Sequence, residues 1–305
     1  MLLEWHRLLE LTTPTGGSYR STTLAEASRF CLWLARRHYE NFPVASLLLP
    51  RQLRPHVAHL YAFARIADDI ADFPGIAPHA KLAVLDSLEE LLLQAAAGDA
   101  GVGNPLQRTL AHTLTTTGLP VTLLQRLLRA FRSDADFRPF ATWAELEAYC
   151  ANSANPIGEA LLRLTGVWSE PLAAPSNALC TGLQVLNFLQ DLSTDLPAGR
   201  LYIPLEMLAR YELPAEFALW RNSAKLHACL AELSSRVAEL LHKGSELLSK
   251  VSQRRLRLYI AATLAMAQQM VAKVRGLGPR LLVKRPKLHY GDVALLWRFW
   301  SHWRR

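Results

Sequence analysis

The chain has 305 residues, half of them hydrophobic and a fifth charged, which is apolar material for one large core or two ordinary domains. A formal net charge of +8 leaves nucleic acid, anionic lipid and a phosphate-bearing substrate all open as partners of the basic excess. Four widely separated cysteines, Cys31, Cys150, Cys180 and Cys229, argue against a disulfide framework or a zinc site and fit a reducing compartment.

Glu4, His6 and Glu10 interrupt the N-terminal apolar stretch, so no signal peptide is expected. No segment offers the roughly 20 uninterrupted apolar residues that cross a bilayer. Even Leu258–Ala272 carries Thr263, Gln268 and Gln269. The expectation is a cytoplasmic protein that at most touches the inner membrane surface.

Helical periodicity runs throughout, with no alternating strand pattern. It predicts helices near 23–40, 52–73, 79–97, 105–117, 120–134, 143–164, 174–196, 223–250 and 253–276. Breaks fall at Thr13-Pro14-Thr15-Gly16-Gly17, Phe73-Pro74-Gly75, Gly101 to Pro105, and Leu196-Pro197-Ala198-Gly199. None resembles a flexible linker. The reading is a single all-α domain over 1–305, with an N-terminal extension at 1–20 and a basic, tryptophan-rich tail at 280–305.

In the predicted helix at 52–73, Tyr61, Arg65, Asp68 and Asp72 fall within a sector of roughly 60°. Between Tyr61 and Asp72 the rest of the surface is largely apolar, except for Asp69. Two carboxylates four residues apart repel each other, so a cation must compensate them if they face inward. In the predicted helix at 174–196, Gln184, Asn187, Asp191 and Asp195 form a second polar stripe of roughly 80° on a helix of Leu, Val and Phe. A lone Asp-x-x-x-Asp is usually a solvated face; two copies on apolar helices suggest facing walls of one cavity. Carboxylates and an amide are oxygen ligands for a hard ion such as Mg2+, which keeps waters and binds together with substrate phosphates. The pattern therefore predicts a diphosphate held by metal on two aspartate helices, with Arg65 and other basic residues neutralising the remainder.

These residues resemble the two aspartate-rich motifs of the squalene/phytoene synthase family, within the helical trans-isoprenoid synthase fold with its central cavity. The resemblance covers about Ser28 to Leu288. It includes His38-Tyr39-Glu40-Asn41-Phe42-Pro43, then Leu48-Leu49-Pro50, the small-residue helix from Tyr149 to Gly158-Glu159, and Gly199-Arg200-Leu201-Tyr202-Ile203-Pro204. It implies that Asp68, Asp72, Asp191 and Asp195 bind magnesium, assisted by Asn187. Tyr61, Arg65, Tyr149, Gln184, Arg200 and Tyr202 would bind or orient the prenyl diphosphate. Two bland alternatives stay open: Arg65 pairing with Asp68 or Asp69 on its own helix, and Tyr202 serving as core.

Several positions depart from the commonest family pattern. Tyr39 and Asn41 stand where small hydroxyl residues are frequent, Gln190 where arginine often precedes the first aspartate, and Asn155 where a small residue is usual. The Ser153-Ala154-Asn155-Pro156-Ile157-Gly158 stretch with Gln190-Asp191 is similar to the hydroxysqualene synthase branch of the hopanoid pathway. That branch implies presqualene diphosphate as substrate, with Asn155 or Asn152 positioning the quenching water. Asn155 bonding backbone groups freed by Pro156 is the bland alternative.

Candidates for an aromatic lining around a carbocation are Phe42, Tyr61, Phe63 and Phe188, though such residues are more often ordinary core. Gly101-Val102-Gly103 and Gly276-Leu277-Gly278 are no dinucleotide fingerprint, which mildly favours a non-reductive product. Two rival functions stay open. One is a head-to-head condensing enzyme making presqualene diphosphate, dehydrosqualene or phytoene. The other is a non-catalytic helical binding protein, against which both complete aspartate pairs argue; no nucleic acid is expected.

The tail holds seven basic residues against the single acid Asp292. Trp297, Trp300 and Trp303 recur there every third residue beside Arg298, Arg304 and Arg305, a pattern for peripheral membrane contact or for packing on the enzyme's own core. The family resemblance implies an alternative role for Lys284, Arg285 and Lys287, closing the diphosphate end of the pocket. Functional coupling to other squalene-pathway enzymes is a further expectation.

Overall fold

The structure, a computed structural model, describes residues 3–13, 23–37, 49–101, 103–214, 216–220 and 223–288. Every regular element among these residues is helical, as the periodicity predicts. Tyr39, Asn41, Phe42 and the tail tryptophans lie outside the described residues. The chain divides into two compact units, Met1–Phe137 with Glu159–Trp168, and Arg138–Gly158 with Ser169–Arg305.

The first unit contains α1 (Trp5–Thr12), α2 (Leu24–Arg37), α3 (Arg54–Ala71), α4 (Pro78–Ala96), α5 (Pro105–Thr117) and α6 (Val121–Ala135). A 3-10 turn, Arg51–Leu53, leads into α3, whose Pro55 occupies a first-turn position where its missing N–H costs nothing. α3 packs against α2, α4, α5 and α6. It buries Phe63, Ile66 and Ile70 completely, each such burial contributing about 1.5–3 kcal/mol. Phe63 is thus core. α1 was not among the predicted helices, because eight residues cannot sustain a helix alone. Its end is held from afar: Asn104 donates to the Leu11 and Thr13 carbonyls at 3.0 and 3.2 Å while capping α5 through Leu106 and Gln107 N–H.

The second unit contains α7 (Trp143–Ser153), the first residues of α8 (Asn155–Leu164), α9 (Glu170–Gln190), α10 (Leu192–Asp195), α11 (Leu205–Arg210), α12 (Ala224–Gly244), α13 (Leu247–Lys250) and α14 (Arg254–Leu277). α9 is its central helix, lying against α12, α7 and α14. Gly244 permits that approach: a Cβ there would stand 2.7 Å from Leu179 Cβ and 2.9 Å from its Cα.

Three predicted helices are interrupted. The stretch 143–164 breaks at Ala154, two residues before Pro156, which has no N–H for the Asn152 carbonyl. The stretch 174–196 begins earlier, at Glu170: Pro171 sits in the first turn, where its missing N–H costs nothing, and the helix runs on through Pro175 at the loss of one backbone bond. It ends at Gln190, and α10 follows as a separate turn. The stretch 223–250 stops at Gly244 and resumes briefly as α13. All four cysteines are free thiols.

Candidate active site

In the first unit, Tyr61, Arg65 and Asp68 share one face of α3, and Asp72 is its C-cap, donating its backbone N–H to the Asp68 carbonyl at 2.9 Å. Arg65 forms ion pairs with Asp68, at 3.2 Å, and with Asp69. Asp69 has no exposed surface and also accepts from the Leu3 N–H at 3.4 Å. The residue that broke the apolar pattern of this helix is therefore a buried anchor for Arg65 and the N-terminal segment. Of the two readings of Arg65, pairing along its own helix is what the structure holds. Its Nε is nevertheless buried without a hydrogen-bond partner, a donor still unspent.

Asp68 differs from Asp69. Its side chain keeps 39% of its surface open, so protein crowds the carboxyl on one side and solvent reaches it on another. Burial first, and then the neighbouring Asp72 carboxylate, push its pKa up to about 7 against the pull of Arg65. Asp69 and Asp134 add to the repulsion. Asp134, buried near the end of α6, escaped the sequence reading. Its only signal was a carboxylate at an otherwise apolar position of that helix. An open, electrostatically uncomfortable carboxylate pair is a fitting place for a cation. Among the described residues no three His, Cys, Asp or Glu side chains are grouped to hold a metal by themselves. An ion here would take its other ligands from water and phosphate, which suits magnesium.

In the second unit, Gln184 and Asn187 are half-buried on α9, among the buried Val185, Leu186 and Leu189. Asp191 is the C-cap of α9, and Asp195 closes α10. The predicted continuous helix is absent here, but the Asp195 N–H bonds the Asp191 carbonyl at 2.9 Å, so the helical four-residue spacing survives the break. The Arg200 N–H bonds the Asp195 carbonyl at 2.9 Å. Arg200, Asp195, Phe188 and Tyr202 line a void of about 10 Å3, room for one water. Arg285, 94 residues from Asp191, grips its carboxylate with Nε and Nη2, the second contact at 3.3 Å.

Tyr202 is 8% exposed and lies flat on Phe188, with centroids 3.8 Å apart and planes at 4°. Tyr149 is tilted against both, at 6.4 and 6.1 Å, and against Phe140 at 5.3 Å. These rings form one aromatic cluster, which gives Tyr202 a packing role. Asn155 is 5% exposed, and its Oδ1 accepts from the Thr181 hydroxyl at 3.1 Å. Its bond thus runs to a side chain on α9, not to a backbone group beside Pro156. Asn152 donates to the Ala148 carbonyl at 3.0 Å. Gly158 lets α8 begin hard against α9, since a Cβ there would sit 2.5 Å from Cys180 Sγ.

Residues 35–291 match the family described as squalene/phytoene synthase. A hydroxysqualene synthase of Sinorhizobium fredii is 34% identical over 266 residues, covering 86% of this chain and 87% of that protein. The crystal structure of squalene synthase HpnC from Alicyclobacillus acidocaldarius is 34% identical, with a TM-score of 0.77, covering 85% of this chain and 97% of that one. A dehydrosqualene synthase in complex with ligand shares the fold at 23% identity and a TM-score of 0.78, over 92% of this chain and 98% of that one. With a match spanning most of its length and a relative at that identity, this chain belongs to the squalene/phytoene synthase family.

Proposed function

We propose that this chain is a hydroxysqualene synthase: it ionises presqualene diphosphate and quenches the rearranged carbocation with water, in squalene and hopanoid biosynthesis. As a member of its family it is an enzyme of isoprenoid biosynthesis acting on prenyl diphosphates. The observation that carries the metal-assisted reading is the Asp68–Asp72 pair, open at a helix end and carrying more mutual repulsion than Arg65 relieves. The product class is supported by the likeness to a hydroxysqualene synthase over most of both chains and by Asn155 and Gln190 in this sequence.

In the first unit Asp68 and Asp72 would hold magnesium; in the second, Asp191 and Asp195, assisted by Asn187, are the corresponding metal ligands. Magnesium, when bound, supplies charge neutralisation at the leaving diphosphate oxygen. The carbon–oxygen bond to diphosphate breaks with both electrons on oxygen. Arg65, through its unspent Nε–H, and Arg200 bind that developing charge. Phe188 would lend aromatic surface to the cation, and Tyr149 and Tyr202, packed against it, would help orient the diphosphate. Tyr61 and Gln184 shape the pocket. With Oδ1 engaged by Thr181, Asn155 offers its Nδ2–H donors to the oxygen of the incoming water. That oxygen bonds to carbon, and its surplus proton passes to diphosphate or solvent.

Purified protein given magnesium and presqualene diphosphate should yield hydroxysqualene and inorganic diphosphate, and chelation should stop the reaction. Consumption of farnesyl diphosphate alone, with a hydrocarbon or presqualene diphosphate as product, would assign the condensing reaction instead. Residues 295–305 we propose as a peripheral membrane contact, motivated by the alternation of tryptophan and arginine. Among the described residues, no helix is long and apolar enough to cross a membrane.

A further inference from the structure

Residues 283–288 follow the 3-10 turn Gly278–Leu282 and run past the end of α9 as a strap tied at three successive positions. Arg285 forks onto the Asp191 carboxylate. The Pro286 carbonyl accepts from Gln190 Nε2 at 3.1 Å, and the Lys287 carbonyl accepts from Lys273 Nζ at 3.0 Å. Two adjacent residues at the end of α9 therefore hold two adjacent residues of the strap. Asp191 takes the guanidinium, and Gln190 takes the backbone beside it. The Arg285 and Asp191 side chains keep 30% and 28% of their surfaces, so the pair is reachable by a ligand and half-desolvated.

A guanidinium forked onto a carboxylate competes with any metal for the same oxygens. The planar fork that fits a carboxylate also fits a phosphate. We propose that Arg285 is an exchangeable counter-ion. It neutralises Asp191 while the site is empty and moves to the diphosphate when metal takes the carboxylate, with Gln190 as the positioning residue that keeps the strap in reach. The proposal rests on the diphosphate-binding reading above and adds to it a source of positive charge. Gln190 itself carries no charge, and the cation beside Asp191 comes from Arg285, 95 positions further along the chain than Gln190. Movement of one long side chain suffices, because the Pro286 anchor does not involve the guanidinium.

The test measures binding by calorimetry on the full chain in two titrations, magnesium alone and inorganic diphosphate in saturating magnesium. Arg285→Gln should bind magnesium about three- to tenfold more tightly, having lost its competitor, and diphosphate about tenfold more weakly. Gln190→Leu should weaken diphosphate binding by a smaller factor and speed amide hydrogen exchange across 283–288, leaving the body of α9 protected. Opposite signs in the two titrations separate counter-ion exchange from a structural lesion, which would weaken both. Arg285→Lys, which keeps charge but loses the fork, covers the case where Arg285→Gln does not fold; intermediate shifts of the same signs are expected. Unchanged or weakened magnesium binding in a folded Arg285 variant overturns the proposal. Failure of the unaltered protein to bind magnesium or diphosphate overturns this proposal and the functional reading together, whereas normal binding there confines a failure to the strap.

Discussion

The Asp69 carboxylate has no solvent-exposed surface and takes both the Arg65 guanidinium and the Leu3 N–H, whereas Asp68, one residue earlier, is open and stands beside Asp72. Asp69→Ala should therefore lower stability by about 3 kcal/mol, because removal of one partner leaves a buried guanidinium half-compensated. Asp68→Asn removes the more repelled charge, so its melting temperature should not fall below that of the unaltered protein. Its turnover of presqualene diphosphate should drop at least about 100-fold. Thermal melts beside diphosphate-release rates check both. Turnover near the normal level in Asp68→Asn would remove that residue from the metal site. Asn155→Ala should change what is made more than how fast diphosphate leaves, shifting alcohol toward hydrocarbon. Chromatography of the products at matched diphosphate release decides it, and an unchanged profile would leave Asn155 with its packing role against Thr181.

At the scale of elements, α2, α3 and α5 meet over a histidine cluster. His59 has no exposed surface, bonds Thr113 Oγ1 at 2.8 Å and Ser28 Oγ at 2.9 Å, and lies edge-on to His56. His56 also bonds Thr113 and stacks on His112. Burial first, then repulsion from His56 and His112, depress the His59 pKa to about 3. The folded chain thus keeps His59 neutral where the unfolded chain, titrating near 6.5, binds a proton. Its stabilising effect is complete above about pH 6.5 and is lost as pH falls toward 3, with a slope approaching about 1.4 kcal/mol per pH unit. The urea midpoint should drop between pH 7 and 4.5, and His59→Gln should flatten that drop. Equal pH dependence in the two proteins would exclude His59 as its source. The helices themselves were largely legible, because apolar periodicity reports which face is buried whatever covers it. The breaks at Ala154 and Gln190 were not. A proline or a cap residue permits a break, and packing decides whether the chain takes it.

For the whole molecule, the tail beyond residue 288 lies outside the described residues, so its prediction comes from sequence. Deletion of 295–305 should lower binding to anionic liposomes several-fold while sparing turnover of detergent-dispersed substrate, as a co-sedimentation assay beside a diphosphate assay would register. Equal liposome binding would rule the membrane reading out. Loss of the folded state on deletion would show that the tryptophans pack on the enzyme.

The amino-acid sequence alone determined the helical class, the family and the two aspartate pairs with their four-residue spacing. Those properties are local: one turn of helix brings residues four apart onto one face wherever the helix lies. It also singled out Gln190 and Asn155 as departures, without saying what either touches. Only the tertiary structure decided that Asp69 is a buried anchor, that Asn155 answers Thr181, that Asp134 presses on Asp68, and that Arg285 and Pro286 meet Asp191 and Gln190. Those partners are separated by 26 to 96 positions. No periodicity encodes such pairings, because the charge balance of a buried carboxylate depends on which distant segment the fold packs beside it.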